Sequence, residues 1–372
     1  MAGGGPGAFI GPVHRMAAEL DGKIRLVAGA FSRDAGRNAE AARDWGVAPE
    51  RAYADVDALI AGEAGRPDGA ELLAVTTPNH VHFAQSAAAL KGGLHVMSDK
   101  PATLTLAQAR ELAGVVSASG RLYGLTYVYT GYPMVREARE IVRRGDLGAV
   151  RKVVVEYAQG WLSEPVERQG SKQAEWRADP AQAGAGGCIA DIGVHAFNLA
   201  EFVSGDRVGR LCADVAAVVP GRMLDDDCNI LLRFGGGARG VLIASQISAG
   251  ARNGLNIKVY GERGGLTWSH ERHTELTVDW LDGPTQVLHA ASSYLGAAAR
   301  AGSRIPTGHP EGFVEAFANL YGDLADAIVA GRGDAGLVPG IEDGVRGMAF
   351  VEQAVAASRT DAGWIELDGS LA

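Results

Sequence analysis

The sequence predicts an α/β chain in two parts, a doubly wound parallel sheet followed by an α+β domain with a large, mostly antiparallel open sheet. Three observations carry this reading. Short apolar runs alternate with helix-length segments as far as Ser119 and Leu122. After Tyr129 the rhythm changes to strands of alternating polarity joined by glycine-rich turns. Between them, the run Leu94-His95-Val96-Met97 stops abruptly at Ser98-Asp99-Lys100-Pro101. Proline lacks the amide hydrogen a central strand needs, so the strand ends there with a lysine at its carboxyl end. In open parallel sheets that rim is where ligands bind.

Composition narrows the function. With 372 residues the chain has room for two domains, which we place at 1–126 and 127–372. A net charge of −9 and no dense Lys/Arg stripe argue against a nucleic-acid partner. Three scattered cysteines, Cys188, Cys212 and Cys228, suit neither a disulfide framework nor a zinc site, and a reducing cytoplasm is their simplest home. No apolar run approaches the roughly 20 residues of a membrane span, and Met1-Ala2-Gly3-Gly4-Gly5 has no secretory-signal character.

Taken in order, Gly3-Gly4-Gly5-Pro6-Gly7-Ala8 fits the G-x-G-x-x-G/A turn of a Rossmann dinucleotide site, with Gly3, Gly5 and Ala8 in the key places. Phe9 and Ile10 follow, and a helix over about Pro12–Leu20 would turn its amino end to the phosphates. Only Met1 and Ala2 precede the turn, where a strand of about five residues is expected. Either the chain begins late or the strand is stunted; the segment reads as the end of such a strand, which favours the late start. Ile24–Phe31 is the second strand, ending Ser32-Arg33-Asp34. An acid here would bind the ribose hydroxyls of NAD, whereas Ser32 and Arg33 suit the 2′-phosphate of NADP, so both cofactors stay open.

A helix over Ala35–Trp45, an amphipathic piece at Asp55–Ala61 and a strand at Glu71–Thr76 come next. Thr76, Thr77, Pro78, Asn79 and His82 then fall at the cofactor rim, although His82 could equally sit on a helix surface. The helix to Lys91, the Leu94–Met97 strand with Asp99 and Lys100, a helix capped by Thr103 or Thr105, and a strand over Leu122–Tyr129 complete the sheet.

In the second half a helix over Tyr132–Arg144 precedes strands at Val150–Gly160, Leu211–Val218, Asn229–Phe234, Ala238–Ser248, Leu255–Tyr260 and Gly264–Trp268. A sheet of that size with one bare face suits a homo-oligomer. Gly184 to Gly187 lead into a helix ending near Ser204, on which Asp191 and His195, four apart, share a face. A metal half-site lacks further ligands of matching spacing, so we read no metal; the pair is either a satisfied core pair or, as we prefer, an acid–base pair in a cleft. The run Asp225-Asp226-Asp227 reads as a solvated turn, and residues 283–309 as a long functional loop ending at His309. A helix over Gly312–Ala330, a second near Ile341–Ser358 and a strand near Trp364–Leu367 close the second domain.

Together, the glycine turn, Lys100-Pro101 after a strand, and Gly186-Gly187 with Asp191, Gly193 and His195 resemble the glucose–fructose oxidoreductase / inositol dehydrogenase (Gfo/Idh/MocA) family over nearly the whole chain. The resemblance implies a Rossmann domain paired with an open-sheet domain, assembly into dimers or tetramers, and NAD(P)-dependent oxidation of a secondary hydroxyl on a sugar or cyclitol. It casts Lys100 as a contact to the substrate oxygen and nicotinamide ribose, His195 as acid–base, and Asp191 as its orienting partner. Tyr129, Trp161, Arg177 beside Trp176, and His309 become substrate contacts, the last from an arm like that of an inositol-acting branch. Asp99 departs from the family's usual glutamate by one methylene. A redox glycosidase on the same scaffold, or a non-catalytic sugar sensor, are the alternatives.

Overall fold

The computed structural model describes residues 1–170 and 179–371. Packing divides the chain into two units, the first chiefly Met1–Val128 and Phe313–Val345, the second Tyr129–Gly312 and Arg346–Ser370.

The first unit opens with β1 (Ala2–Gly3) and α1 (Ile10–Glu19), then α2 (Ala35–Asp44) and α3 (Val56–Glu63). It continues through β2 (Leu72–Thr76), α4 (Asn79–Lys91), β3 (His95–Ser98), α5 (Leu106–Ser119) and β4 (Tyr123–Leu125). The four strands are parallel in the order β1-β2-β3-β4, with Ala2 opposite Val75, Leu73 opposite Val96 and Met97 opposite Gly124. Asp34, Asp55 and Thr105 cap α2, α3 and α5 by accepting amide hydrogens that each helix start leaves unpaired.

Two strand expectations need correction. Ile24–Phe31 does not form a strand; it touches the sheet through single parallel bridges, Ala2 to Ala30 and Gly29 to Ala52. Its neighbour β1 offers two residues to pair with, and the Phe31 amide is taken by the side chain of Asn38, which also donates to Tyr53 O. The bridges still extend the sheet to the doubly wound order. Likewise Leu122–Tyr129 is a strand for three residues only, because Val128–Gly131 tightens into a 3₁₀ turn. At the opposite side of the sheet, next to Gly29, Arg51 and Glu63 form a buried ion pair, with Nε–Oε1 at 3.0 Å and Tyr53 donating to the same oxygen. Arg51→Met would leave Glu63 buried without its cation, and thermal or urea unfolding is expected to register a loss of about 3–5 kcal/mol.

The second unit starts with α6 (Pro133–Arg143) and β5 (Lys152–Ala158), followed by α7 (Val194–Ser204) and a run of strands. These are β6 (Val208–Ala216), β7 (Asp227–Phe234), β8 (Arg239–Ser245), β9 (Gly254–Tyr260), β10 (Gly264–Ser269), β11 (Glu275–Trp280) and β12 (Gln286–His289). The chain ends with α8 (Phe313–Val329), α9 (Ile341–Arg359) and β13 (Ile365–Glu366). One sheet runs β12-β11-β10-β9-β5-β8-β7-β6-β13, antiparallel throughout except for β5 beside β8. Val153, Val155 and Tyr157 of β5 and Leu255, Ile257 and Val259 of β9 point to the face covered by α6 and α7. Full burial of each aliphatic side chain contributes about 1.5–3 kcal/mol.

Packing groups 313–345 with the first unit. Helix α8 buries Phe317, Leu320, Tyr321 and Leu324, and its aromatic residues meet His14 of α1. Residues 283–309, expected as a loop, contain edge strand β12 and a short helix at Ala297–Ala301.

Candidate active site

In the first unit the glycine turn is tied to the neighbouring segment by Gly3 N–H to Ala30 O (2.9 Å) and Gly5 N–H to Phe31 O (3.1 Å). Ala8 closes the turn by donating to Gly5 O. A close helix–loop approach falls on Gly11, where a Cβ would lie 2.3 Å from Gly4 Cα. Phe9 is exposed and Ile10 opens α1, whose first amides receive no side-chain cap. That donor set fits a dinucleotide pyrophosphate: amides without a side-chain cap at a helix start, beside a glycine turn whose Pro6 carbonyl accepts from Arg37. Thr76 donates its hydroxyl to Ala2 O, and Thr77 to Gln85, so both brace the rim. Pro78 and Asn79 begin α4 without a side-chain cap. Arg33 is exposed, and with Ser32 it borders a cavity of about 350 Å³ that also touches Asn38 and Arg43; no glycine-turn residue lines it.

His82 does not face the rim. It is 1% exposed, with Nε2 2.7 Å from Thr77 O and Nδ1 2.8 Å from Pro101 O, and burial lowers its pKa. It staples the loop after β2 to the loop after β3. Asp99 accepts from Lys100 N–H (2.9 Å) and from the Thr126 hydroxyl (2.8 Å), fixing the backbone from which half-buried Lys100 projects.

In the second unit Asp191 lies in a π-helical turn, Ile189–Gly193, that runs directly into α7, and His195 is in the first turn of α7. Asp191 Oδ2 accepts from Gln246 Nε2 (2.9 Å). His195 is 8% exposed and meets the Tyr129 ring edge-on at 5.1 Å between centroids, a packing that fixes the imidazole plane. Behind it, Tyr129 and Tyr157 share a hydroxyl–hydroxyl bond, and Tyr157 donates to Asn253 Oδ1 (2.6 Å). Burial, the leading cause, pushes both phenols above their ordinary range, so they stay neutral donors. Gln159 links Asn253 (2.8 Å) to Trp161, whose indole donates to Gln159 Oε1 (2.9 Å).

The turn at Asp225–Asp227 is not solvated. Asp225 accepts from Gly187 N–H (2.6 Å) and Ile189 N–H (2.7 Å), and a Cβ at Gly187 would sit 2.3 Å from Asp225 O. Burial pushes Asp225 up to about 6 against the pull of those amides. Asp226 is fully buried, accepts from Val218 and Val219 amides, and pairs with Arg222. Asp225→Ala would orphan two amides at the entry to the π-turn; a loss of about 2 kcal/mol or more in stability is expected by denaturant titration.

Residues 3–127 match the family description "Oxidoreductase family, NAD-binding Rossmann fold", and residues 135–267 match "GFO/IDH/MocA C-terminal domain". The chain belongs to the Gfo/Idh/MocA family. It is an oxidoreductase with an NAD-binding Rossmann domain. Over 98% of its length it is 31% identical to the "uncharacterized oxidoreductase YfiI" of Bacillus subtilis (strain 168), covering 95% of that protein. An inositol dehydrogenase homologue from Azotobacter vinelandii, solved with NADH and myo-inositol, is 38% identical with a TM-score of 0.89, over 98% of this chain and 96% of that one. A Sinorhizobium meliloti oxidoreductase structure shares 44% identity and a TM-score of 0.89, over 98% of each chain.

Of the remaining expected contacts in this Gfo/Idh/MocA chain, Arg177 and Trp176 lie outside the described residues. His309 is exposed, with Nδ1 3.1 Å from Pro306 O. Among the described residues, no group of three or more His, Cys, Asp or Glu could hold a metal, and no helix is long and apolar enough to cross a membrane. Sequence reasoning missed Gln159, Gln246, Asn253 and Asp225. Only the acidic run carried any local signal, and three acids in a row read as surface.

Proposed function

We propose that this protein is an NAD(P)-dependent dehydrogenase of a secondary hydroxyl on a cyclitol or hexose-like sugar. The observation that carries the reading is the Asp191–His195 pair, held by Gln246 and an aromatic wall inside a chain of this family. The inositol dehydrogenase homologue adds support for the substrate class. Bound NAD(P) supplies the hydride acceptor.

His195 takes the hydroxyl proton, imidazole being the side chain best suited to act as a base near neutral pH. Lys100 contacts the substrate oxygen and the nicotinamide ribose and stabilises the developing alkoxide. Asp191 orients the imidazole or an adjacent hydroxyl, with Gln246 fixing the carboxylate. The products are a ketone, reduced cofactor and one proton. Tyr129, Trp161, Arg177 and His309 are further substrate contacts in this reading, His309 reaching its own or a neighbouring subunit's substrate.

The protein works in the cytoplasm as a homodimer or homotetramer built on the bare sheet face, where Leu231, Tyr260 and Val287 are exposed (47%, 43% and 43%). Light scattering on the purified protein tests the assembly. Turnover tests the function: inositols, glucose epimers and anhydrosugars are screened with NAD and NADP side by side. Net formation of reduced cofactor on a free polyol is the expected result. Cleavage of a glycoside without net reduction would instead favour a redox glycosidase.

A further inference from the structure

Resting on the role proposed for Lys100, we infer that His14 is a positioning residue: its buried imidazole anchors the Asp99 carboxylate, which holds the backbone that presents Lys100. His14 lies on α1 and is fully buried. Its Nδ1 is 2.7 Å from Tyr321 Oη of α8, and its ring packs on Phe317 with centroids 5.0 Å apart. These contacts aim Nε2 at Asp99 Oδ1, 3.8 Å away, and Nε2 has no hydrogen-bond partner among the described residues.

A buried ring nitrogen without a partner is costly, and facing an anion is what makes it tolerable. The same carboxylate oxygen accepts from Lys100 N–H and the Thr126 hydroxyl, so one atom collects α1, the strand end and the following turn. Four other ionisable groups act on the pair or are acted on by it. Lys100 lies on the same loop, His82 comes from α4, Tyr321 from α8 and Tyr123 from β4. Burial pushes both phenols up, so they stay neutral. Burial by itself would also raise Asp99; the interaction with His14, then the charges of Lys100 and His82, outweigh it and hold Asp99 well below the usual carboxylate range.

A carboxylate held low keeps its anchor above that pKa and loses it as pH falls through it. Removing His14 therefore moves the point of loss upward. The test is NADH binding, read by nicotinamide fluorescence from acidic to neutral pH, in wild type, His14→Gln, His14→Phe, Tyr321→Phe, Thr126→Val and Lys100→Met. His14→Gln is expected to weaken NADH less than tenfold on the acid side, no more than Lys100→Met does, and to raise the acid limb by about one pH unit or more. Tyr321→Phe should shift the limb the same way by less, which keeps the test open should the His14 variants fold poorly. Thr126→Val combined with His14→Gln should cost less than the sum of the two. A wild-type limb in either folded His14→Gln or Tyr321→Phe overturns the inference. Normal polyol turnover by Lys100→Met would instead overturn the role of Lys100, with the His14 limb still deciding the anchor.

Discussion

Lys100→Met is expected to lower kcat/KM on the responsive polyol by about 10³-fold or more, equivalent to roughly 4 kcal/mol of transition-state stabilisation. The substitution keeps the aliphatic stem, so packing around the half-buried side chain survives and the melting temperature should move little. NADH affinity should fall less than tenfold, because the proposed pyrophosphate contact is the glycine turn rather than this ammonium. Steady-state kinetics beside NADH fluorescence separates the two effects. Loss of binding with unchanged kcat would make Lys100 a cofactor clamp and nothing more.

His195→Ala carries the second large effect, a fall in kcat of about 10²–10⁴-fold. Oxidation by the wild-type protein should weaken toward acid pH as the imidazole takes up a proton, and the variant should lose that limb. Truncation at a buried position beside Tyr129 leaves a space, so added imidazole is expected to restore part of the rate. Tyr129 and Tyr157 cannot replace the base, since burial holds both phenols protonated. A variant with near-wild-type kcat and an unchanged pH profile would remove His195 from the chemistry.

The fold was legible wherever local pattern decides it. Runs such as Leu72–Thr76 and His95–Ser98 have the length and apolarity of buried parallel strands, and Thr105, one of the two capping candidates, announces α5. Ile24–Phe31 has the same pattern but lacks a full partner, and pairing is a property of two segments. Edge strand β12 escaped because Gln286–His289 is mostly exposed and shows no buried alternation. The return of 313–345 to the first unit depends on long-range packing against α1, which no local signal carries.

Lys100 in the first unit, and Asp191 and His195 in the second, stood out in the sequence by type and spacing. Their supports did not. Gln159, Gln246 and Asn253 follow or precede β5, β8 and β9, and they meet only because Ala158 stands opposite both Ser245 and Gly254 in the sheet register. The acids at 225–227 illustrate the opposite error. Composition assigns them to solvent, whereas amides from Gly187 and Ile189 satisfy Asp225, and those of Val218 and Val219 satisfy Asp226, inside the protein.

The most direct check is a single-turnover cycle of hydride transfer to NAD or NADP in wild type, Lys100→Met, His195→Ala and the double variant. If the ammonium and the imidazole serve one alkoxide-forming step, each single change is severe and the double variant is scarcely slower than the worse of them. Rates near wild type in either single variant, or losses that simply multiply, would contradict the account.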